Sequence, residues 1–402
     1  MDSFIYSIWQ ALEIVLWFAV PIFLIALFWR LRLIHKRQQF LEKQEWDMLE
    51  VRIPSNIIKR PKAMEQVFSG IYGIYSFGNP WIPKYMEGKV DLWVSFEIAA
   101  KGGSIRFYVR TPKSFRNLVE SSIYGQYPEA EILEAEDYVH ELPSSLPNET
   151  FDIWGTGFKL ANEAPYPIRT YKEFDEFEPD DEKRIDPMSA LFEAMSKLQQ
   201  NERIWIQCMV SATGKPTGYD IQEEMGKIIQ DIQDKSKEAD KEGKITRKPP
   251  THGTQEIIKG IENKASKHLF QFTLRFLYIA PKEEFNGQNI PAVMGSFQQF
   301  NTQNMNAFKP DGTITLMGGW LARLFPSYKN SKVLIKKRML YDAYVQRQFG
   351  LTNRLSDTEK LGILSTEELA TIYHYPIGNV KAPQLQRIGS RRSEPPVNLP
   401  FE

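Results

Sequence analysis

Hydrophobic and polar positions divide the chain into sharply contrasting stretches. Residues 4–29, FIYSIWQALEIVLWFAVPIFLIALFW, are almost wholly apolar, and RLRLIHKR follows at once. At a helical rise, Trp9 to Trp29 spans roughly 30 Å, the thickness of a hydrocarbon core. A Trp stands at each end, as in an interfacial belt. The pattern predicts one transmembrane helix, with Trp9, Glu13, Pro21, Trp29, Arg30 and Arg32 as the residues that define the anchor. Glu13 lies one turn inside Trp9, where an acid reaches water or takes up a proton; a functional intramembrane acid is the sharper alternative. Pro21 predicts a kink at mid-span. Asp2 precedes the span, whereas Arg30, Arg32, His35, Lys36 and Arg37 follow it. The positive-inside rule then puts the N-terminus outside the plasma (inner) membrane and the body in the cytoplasm. A cleaved signal peptide would need positive charge before the apolar run and small residues after it; both are missing.

Beyond the anchor the periodicity changes. Residues 31–50 scatter apolar points among Lys, Arg, Gln and Glu, which predicts a juxtamembrane helix. In residues 62–72, Met64, Val67, Phe68 and Ile71 share one helical face. Leu92, Val94, Phe96 and Ile98 alternate with Ser95 and Glu97; a Lys101-Gly102-Gly103 turn leads to the alternating Ile105, Phe107 and Val109, so a β-hairpin is expected. Phe115, Leu118, Val119 and Ile123 return to helical spacing, and AEILEAEDY reads as a further strand. Hairpin, helix and strand make half of a ferredoxin-like unit.

The pattern partly recurs. Short β-like pieces fill 151–174. Asp186-Pro187 opens a helix as N-cap and first turn, and 203–211 is a strand. Residues 255–268 are helical, 270–279 form a strong strand, and 290–301 are helical again. Between Gly218 and Pro250 the composition shifts to dense mixed charge, which predicts a solvated helical insertion, with a partner-docking arm as the alternative. KVLIKKRMLYDAYVQRQF is amphipathic, with Val333, Leu334, Leu340 and Tyr344 toward a core. The expected class is α+β: a single N-terminal transmembrane helix, then a cytoplasmic body of one or two ferredoxin-like α+β units with a charged helical insertion. The expected boundaries are 1–30 anchor, 31–50 juxtamembrane helix, 51–150 first domain, 151–330 second domain with insertion 218–250, 331–381 helical segment, and 382–402 a Pro/Arg-rich tail.

Charge and chemistry narrow the function. Lysine plus arginine equals aspartate plus glutamate, 50 each over 402 residues. A protein living by the phosphate backbone would show a basic excess, so direct nucleic-acid binding is not expected. The single cysteine, Cys208, sits in an apolar run and is expected to be buried and inert. The nearest approach to a phosphate loop is Gly214-Lys215, but Pro216 replaces the hydroxyl residue and Met209 the first glycine. The five histidines, His35, His140, His252, His268 and His374, lie far apart, and no paired C-x-x-C or H-E-x-x-H occurs. The Glu134–Asp137 acidic cluster reads as a solvated strand end, and QQFNTQNMNAF (298–308) as a capped helix end with an ordered turn. No catalytic, cofactor or metal residue is nominated.

Several phrases together carry a family resemblance: AMEQVFSGIYGI (63–74), IRFYVRTPKSFRNLVESSIYGQYPEAEI (105–132), QFNTQNMNAF (299–308), and LSTEELATIYHYP followed by VKAPQLQRIGSRRSEPPVNLP (364–400). The chain resembles the region that precedes the ATPase in TraG-like coupling proteins of conjugative type IV secretion and in their HerA/FtsK-type relatives. In those proteins a phosphate-loop ATPase domain follows the Pro-rich segment; here residue 402 is reached without one. The resemblance therefore implies a membrane-anchored, non-catalytic accessory subunit whose translocase ATPase is on another chain. Its partners would be the lipid bilayer, that ATPase and, in a ring, further copies of itself. The tail, with Arg387, Arg391, Arg392, Pro395 and Pro396, is the candidate dock. A cell-envelope scaffold without a motor partner is the alternative.

Overall fold

The computed structural model describes residues 2–54, 59–74, 86–175, 186–212, 221–235, 237–239, 245–247, 251–311, 326–349 and 362–376. Two compact units result, one built on residues 1–45 and the other on most of the chain from Trp46 onward.

The first unit is dominated by a single helix, Asp2–Glu42, with Pro21 inside it. Its 41 residues run for about 60 Å, roughly twice a hydrocarbon core. Trp17–Glu42 is long and apolar enough to cross a membrane, and no part of its apolar window is buried. Trp17, Phe18, Ile22, Phe23 and Phe28 all project outward. The apolar side chains of this helix are thus not packed into a protein core among the described residues.

The expected 31–50 helix ends early. Glu42 is its last residue, and Trp46–Arg52 is a strand, β1. The sequence there alternates: Leu49 and Val51 are buried on one side, Met48 and Glu50 on the other. Neighbouring charges mimic a solvated helix, but pairing to strands on both sides decides the conformation.

The remaining strands are β2 (Val94–Lys101), β3 (Ser104–Pro112), β4 (Glu131–Glu134), β5 (Phe151–Leu160), β6 (Arg203–Ala212), β7 (Lys237–Ala239), β8 (Ile245–Arg247), β9 (Leu269–Pro281), β10 (Phe308–Pro310) and β11 (Gly362–Ser365). Together with β1, eight of these form one nine-stranded sheet in the order β10-β5-β9-β6-β2-β3-β1-β4, with β11 added along β9. Every pairing is antiparallel. From β1 to β4 the chain runs strand, helix (Pro61–Ile71), strand, strand, helix (Arg116–Gln126), strand. From β5 to β10 the same succession recurs with helices Ser189–Ser196 and Asn289–Gln298, interrupted by a short helix Tyr171–Asp175 before Ser189–Ser196 and by helix Ile221–Lys235, β7, β8 and helix His252–Ala265 between β6 and β9. Within each half the spatial order is fourth, first, third, second strand. The halves meet edge to edge through β2 and β6, with Glu97 opposite Gln207 in the middle of the seam.

The two faces of this sheet differ. On one, Phe96, Ile98, Phe107, Ile206, Phe270, Leu274 and Phe276 join Phe68, Val119, Phe192 and Phe297 from the four helices in a large core. On the other, Tyr108, Trp205, Leu277 and Ile279 pack beneath Tyr138, Leu142, Leu340, Tyr341 and Tyr344. The helix Pro326–Val345 supplies the last three of these. Leu334, expected in the core, is instead 37% exposed; only the last turns of this helix meet the sheet.

Other expectations shift in detail. The helix after Pro187 begins at Ser189 with Met188 as its N-cap, while Asp186 accepts from the Met188 amide and so fixes the turn before it. The expected helical segment 331–381 contains the strand β11 before the short helix Thr366–Ile372. Within the charged insertion, helix Ile221–Lys235 is not wholly solvated. Its Ile221 and Met225 are buried against Ile261 of helix His252–Ala265, Leu269 and Ile363.

Candidate functional site

Along one row of the sheet, paired residues Arg275, Gln207, Glu97, Tyr108 and Glu50 stand side by side on β9, β6, β2, β3 and β1. Alternation puts them all on the face covered by helix Pro326–Val345. The sequence alternation puts Ser95 and Glu97 on the face opposite Val94, Phe96 and Ile98, and there they lie, away from the main core. The second face is covered too, so Glu97 is fully buried.

What compensates its charge comes from far along the chain. Arg347, just past the helix, has φ 47°. This left-handed conformation ends the helix and turns the side chain back on the sheet. Its Nε and Nη2 donate to the two carboxylate oxygens of Glu97 at 3.0 and 3.1 Å. Nη2 also donates to Asp137 at 2.7 Å. Ser95 and Gln207 donate to Glu97 at 2.6 and 3.1 Å, and the Tyr138 hydroxyl at 2.7 Å. Burial works to raise the Glu97 pKa; the Arg347 charge and these donors outweigh it and hold the carboxyl below its usual 4.5. Burial pushes the Tyr138 and Tyr344 hydroxyls well above 10, so both remain neutral while they share a 2.8 Å hydrogen bond.

Arg275 makes the reverse connection. From the sheet it donates to Gln207 at 2.8 Å, to the Ala343 carbonyl at 3.0 Å, and to the Gln348 carbonyl. A guanidinium on the closing carbonyls of a helix satisfies them and suits the negative end of the dipole. Burial lowers its pKa to about 9, which leaves it charged at neutral pH. Two arginines thus lock the end of one helix to the seam between the halves, one pointing each way.

A second cluster fixes residues 362–376. Residues 363–375 are buried throughout. Ser365 and Glu368 form a capping box at the start of Thr366–Ile372. The Glu368 carboxylate also accepts from the Ile168 amide at 2.9 Å and pairs with Lys264 at 3.1 Å, both side chains 1% exposed. Burial pulls the Lys264 ammonium down, against the pull of Glu368. Glu367 accepts from Thr170 and Lys172 at 2.6 and 2.7 Å and from Lys267. Burial works to raise its pKa, and these donors bring it below the carboxylate norm. His374 bridges the Ala370 carbonyl at 2.8 Å and Asp186 at 2.9 Å.

A general base needs a lone pair within reach of a substrate proton. The carboxylates of Glu97, Glu367 and Glu368 are occupied by protein donors. No group of three or more His, Cys, Asp or Glu suited to a metal occurs among the described residues. What this arrangement does chemically is clamp elements together.

The anchor residues all belong to helix Asp2–Glu42. Trp29 is exposed, and the Arg32 guanidinium stands 5.3 Å from its ring centroid. Arg387, Arg391, Arg392, Pro395 and Pro396 lie outside the described residues. The acidic run at 134–137 is not simply solvated: Asp137 binds Arg347 and caps the turn Tyr138–Glu141. The 298–308 turn is ordered as expected. Asn306 is fully buried and donates to the carbonyls of Glu163 and Tyr166 at 3.1 and 2.9 Å. Sequence reasoning missed Arg275 and Arg347. An arginine in a strongly apolar strand was the available signal for the first; nothing local pointed to the second.

Among solved structures, the chain is similar to GilR, described as an oxidoreductase that catalyzes the terminal step of gilvocarcin biosynthesis and crystallised with pregilvocarcin. The TM-score is 0.28 and the identity 8%, over 79% of this chain and 56% of that one. A likeness that weak carries no argument. No curated protein matches the chain. A family model does match, over residues 30–386. The chain belongs to the DUF8128 family, a domain of unknown function.

Proposed function

We propose that this chain is a membrane-anchored, non-catalytic accessory subunit of a translocating ATPase carried on another polypeptide, of the type IV secretion or conjugation kind. The observation that carries the proposal is the joining of a lipid-suited helix, Trp17–Glu42, to a body whose buried charges are closed on one another. Such a body offers surfaces and rigidity rather than a reacting group. The basic cluster after the apolar run supports a cytoplasmic body, and the phrases shared with TraG-like proteins support the motor partner.

In this proposal each strand-helix-strand-strand-helix-strand half is a ferredoxin-like unit. The fourth-first-third-second strand order and the antiparallel pairing support that assignment. The segment that precedes the tail in sequence is firmly held, because residues 363–375 are buried and pinned by Lys264, Lys267 and Asp186.

The test is a comparison of membrane and soluble fractions from cells carrying the full chain or a chain lacking residues 2–30. The expected result is that one phosphate-loop ATPase leaves the membrane fraction together with the truncated body. An unchanged distribution of every such ATPase would contradict the proposal.

A further inference from the structure

Helix Pro326–Val345 has two different ends. Its last turns are held by Leu340, Tyr341 and Tyr344 against the sheet. Its earlier turns are exposed: residues 327–332, 334, 335, 338 and 339. On the side away from Leu340 and Tyr344, helical spacing aligns Tyr328, Ile335 and Met339. These are 47%, 50% and 58% exposed. Lys332 flanks this apolar line on one side and Arg338 on the other, and Lys329 lies a turn before Lys332. The Lys332 ammonium sits 5.5 Å from the Tyr328 ring centroid. No acidic residue occurs in 326–341. Of the other cations there, Lys337 is engaged by Asp152 at 2.6 Å; the nearest exposed acid on the helix itself is Asp342.

We propose that this face docks on anionic phospholipid, with Tyr328, Ile335 and Met339 entering the headgroup region and Lys329, Lys332 and Arg338 meeting lipid phosphates. Two properties select that occupant. An apolar line along which three cations, Lys329, Lys332 and Arg338, outnumber the one exposed acid, Asp342, is complementary to an anionic, amphipathic surface. A helix able to cross a bilayer holds the chain beside such a surface at high effective concentration. This inference rests on the membrane anchor of the proposed function and extends it. The anchor fixes the chain to the membrane, and the second contact would restrict how the body sits on it. Each cation near an anionic surface strengthens such a contact roughly fivefold.

The test uses the full chain in nanodiscs of phosphatidylcholine alone or with phosphatidylglycerol. An environment-sensitive fluorophore is placed on Ile335→Cys, with Cys208 left buried, and on the exposed control position Glu149→Cys. The inference expects a blue shift at residue 335 only in anionic discs. The shift should be lost at high salt and in the Lys329→Glu/Lys332→Glu/Arg338→Glu variant, with no change at residue 149. No shift in anionic discs, an equal shift in neutral discs, or a shift that requires an added protein partner overturns it. A chain that stays in the discs without shifting overturns the lipid contact alone. A chain that does not stay in the discs overturns the anchor and the contact with it.

Discussion

Arg347→Met removes the one cation that, among the described residues, hydrogen-bonds Glu97, and the consequence can be worked from the geometry. The wild-type pair is almost fully withdrawn from water, at 2% and 0% side-chain exposure. Removing one member of a buried pair leaves an uncompensated charge and typically costs about 3–5 kcal/mol. Ser95, Tyr138 and Gln207 would still donate to Glu97, which argues for the lower half of that range. Asp137 would lose the same partner, which argues for the upper half. A melting-temperature drop of roughly 5–10 °C follows for a body of this size. Glu97→Gln in the same background removes the stranded charge but keeps an acceptor for Ser95 and Tyr138, and should recover about 1–3 kcal/mol.

The pH dependence distinguishes a charge clamp from mere packing. In the wild type the folded pKa of Glu97 lies below 4.5. Its stabilisation is present above the unfolded pKa and is lost as pH falls through the folded value. In Arg347→Met, desolvation is unopposed by that cation and the folded pKa rises above the unfolded one. The variant should then gain stability as pH falls from neutral toward 5, where the wild type does not. The assay is thermal unfolding of the full chain in detergent micelles, followed by near-UV circular dichroism across that range. A loss below about 1 kcal/mol, or an unchanged sign of the pH slope, would refute the clamp.

Three further outcomes follow from other parts of the body. Lys264→Met strands Glu368 in the core and should cost about 3–5 kcal/mol; limited proteolysis should show residues 362–376 released before the sheet unfolds. Asn306→Ala removes the side-chain hydrogen bonds to the Glu163 and Tyr166 carbonyls, each of which keeps a weaker second donor, and should lower stability by about 1–2 kcal/mol, read as a shift in the denaturant midpoint. Burial raises the Cys208 thiol to about 12. A thiol reagent at pH 8 should therefore modify it only after denaturant is added, and prompt labelling of the native chain would contradict the packing described.

What the sequence made legible depended on which interactions were local. The hairpin β2–β3 was readable because Val94, Phe96 and Ile98 alternate with polar residues and Gly102-Gly103 closes the turn; both glycines take positive φ. The helices of both halves were readable from spacing such as Met64, Val67, Phe68 and Ile71. β1 was not, because Asp47, Glu50 and Arg52 imitate a solvated helix until β3 and β4 pair beside them. The second face escaped for a related reason. Alternation shows that Ser95 and Glu97 share a side, but not that residues some 250 positions away cover it. Leu334 failed in the opposite direction, since an amphipathic pattern does not reveal how much of a helix reaches the sheet. The clamp joins β2, β6 and β9 to residues 343–348, so no window of sequence contains it.

The measurement that tests the account most directly is affinity purification of the tagged full chain in detergent from its native host, with mass spectrometry of its companions. The account predicts a stoichiometric phosphate-loop ATPase that is lost when residues 382–402 are deleted. Recovery of the chain alone, or only with further copies of itself, would contradict the accessory-subunit assignment and favour an envelope scaffold.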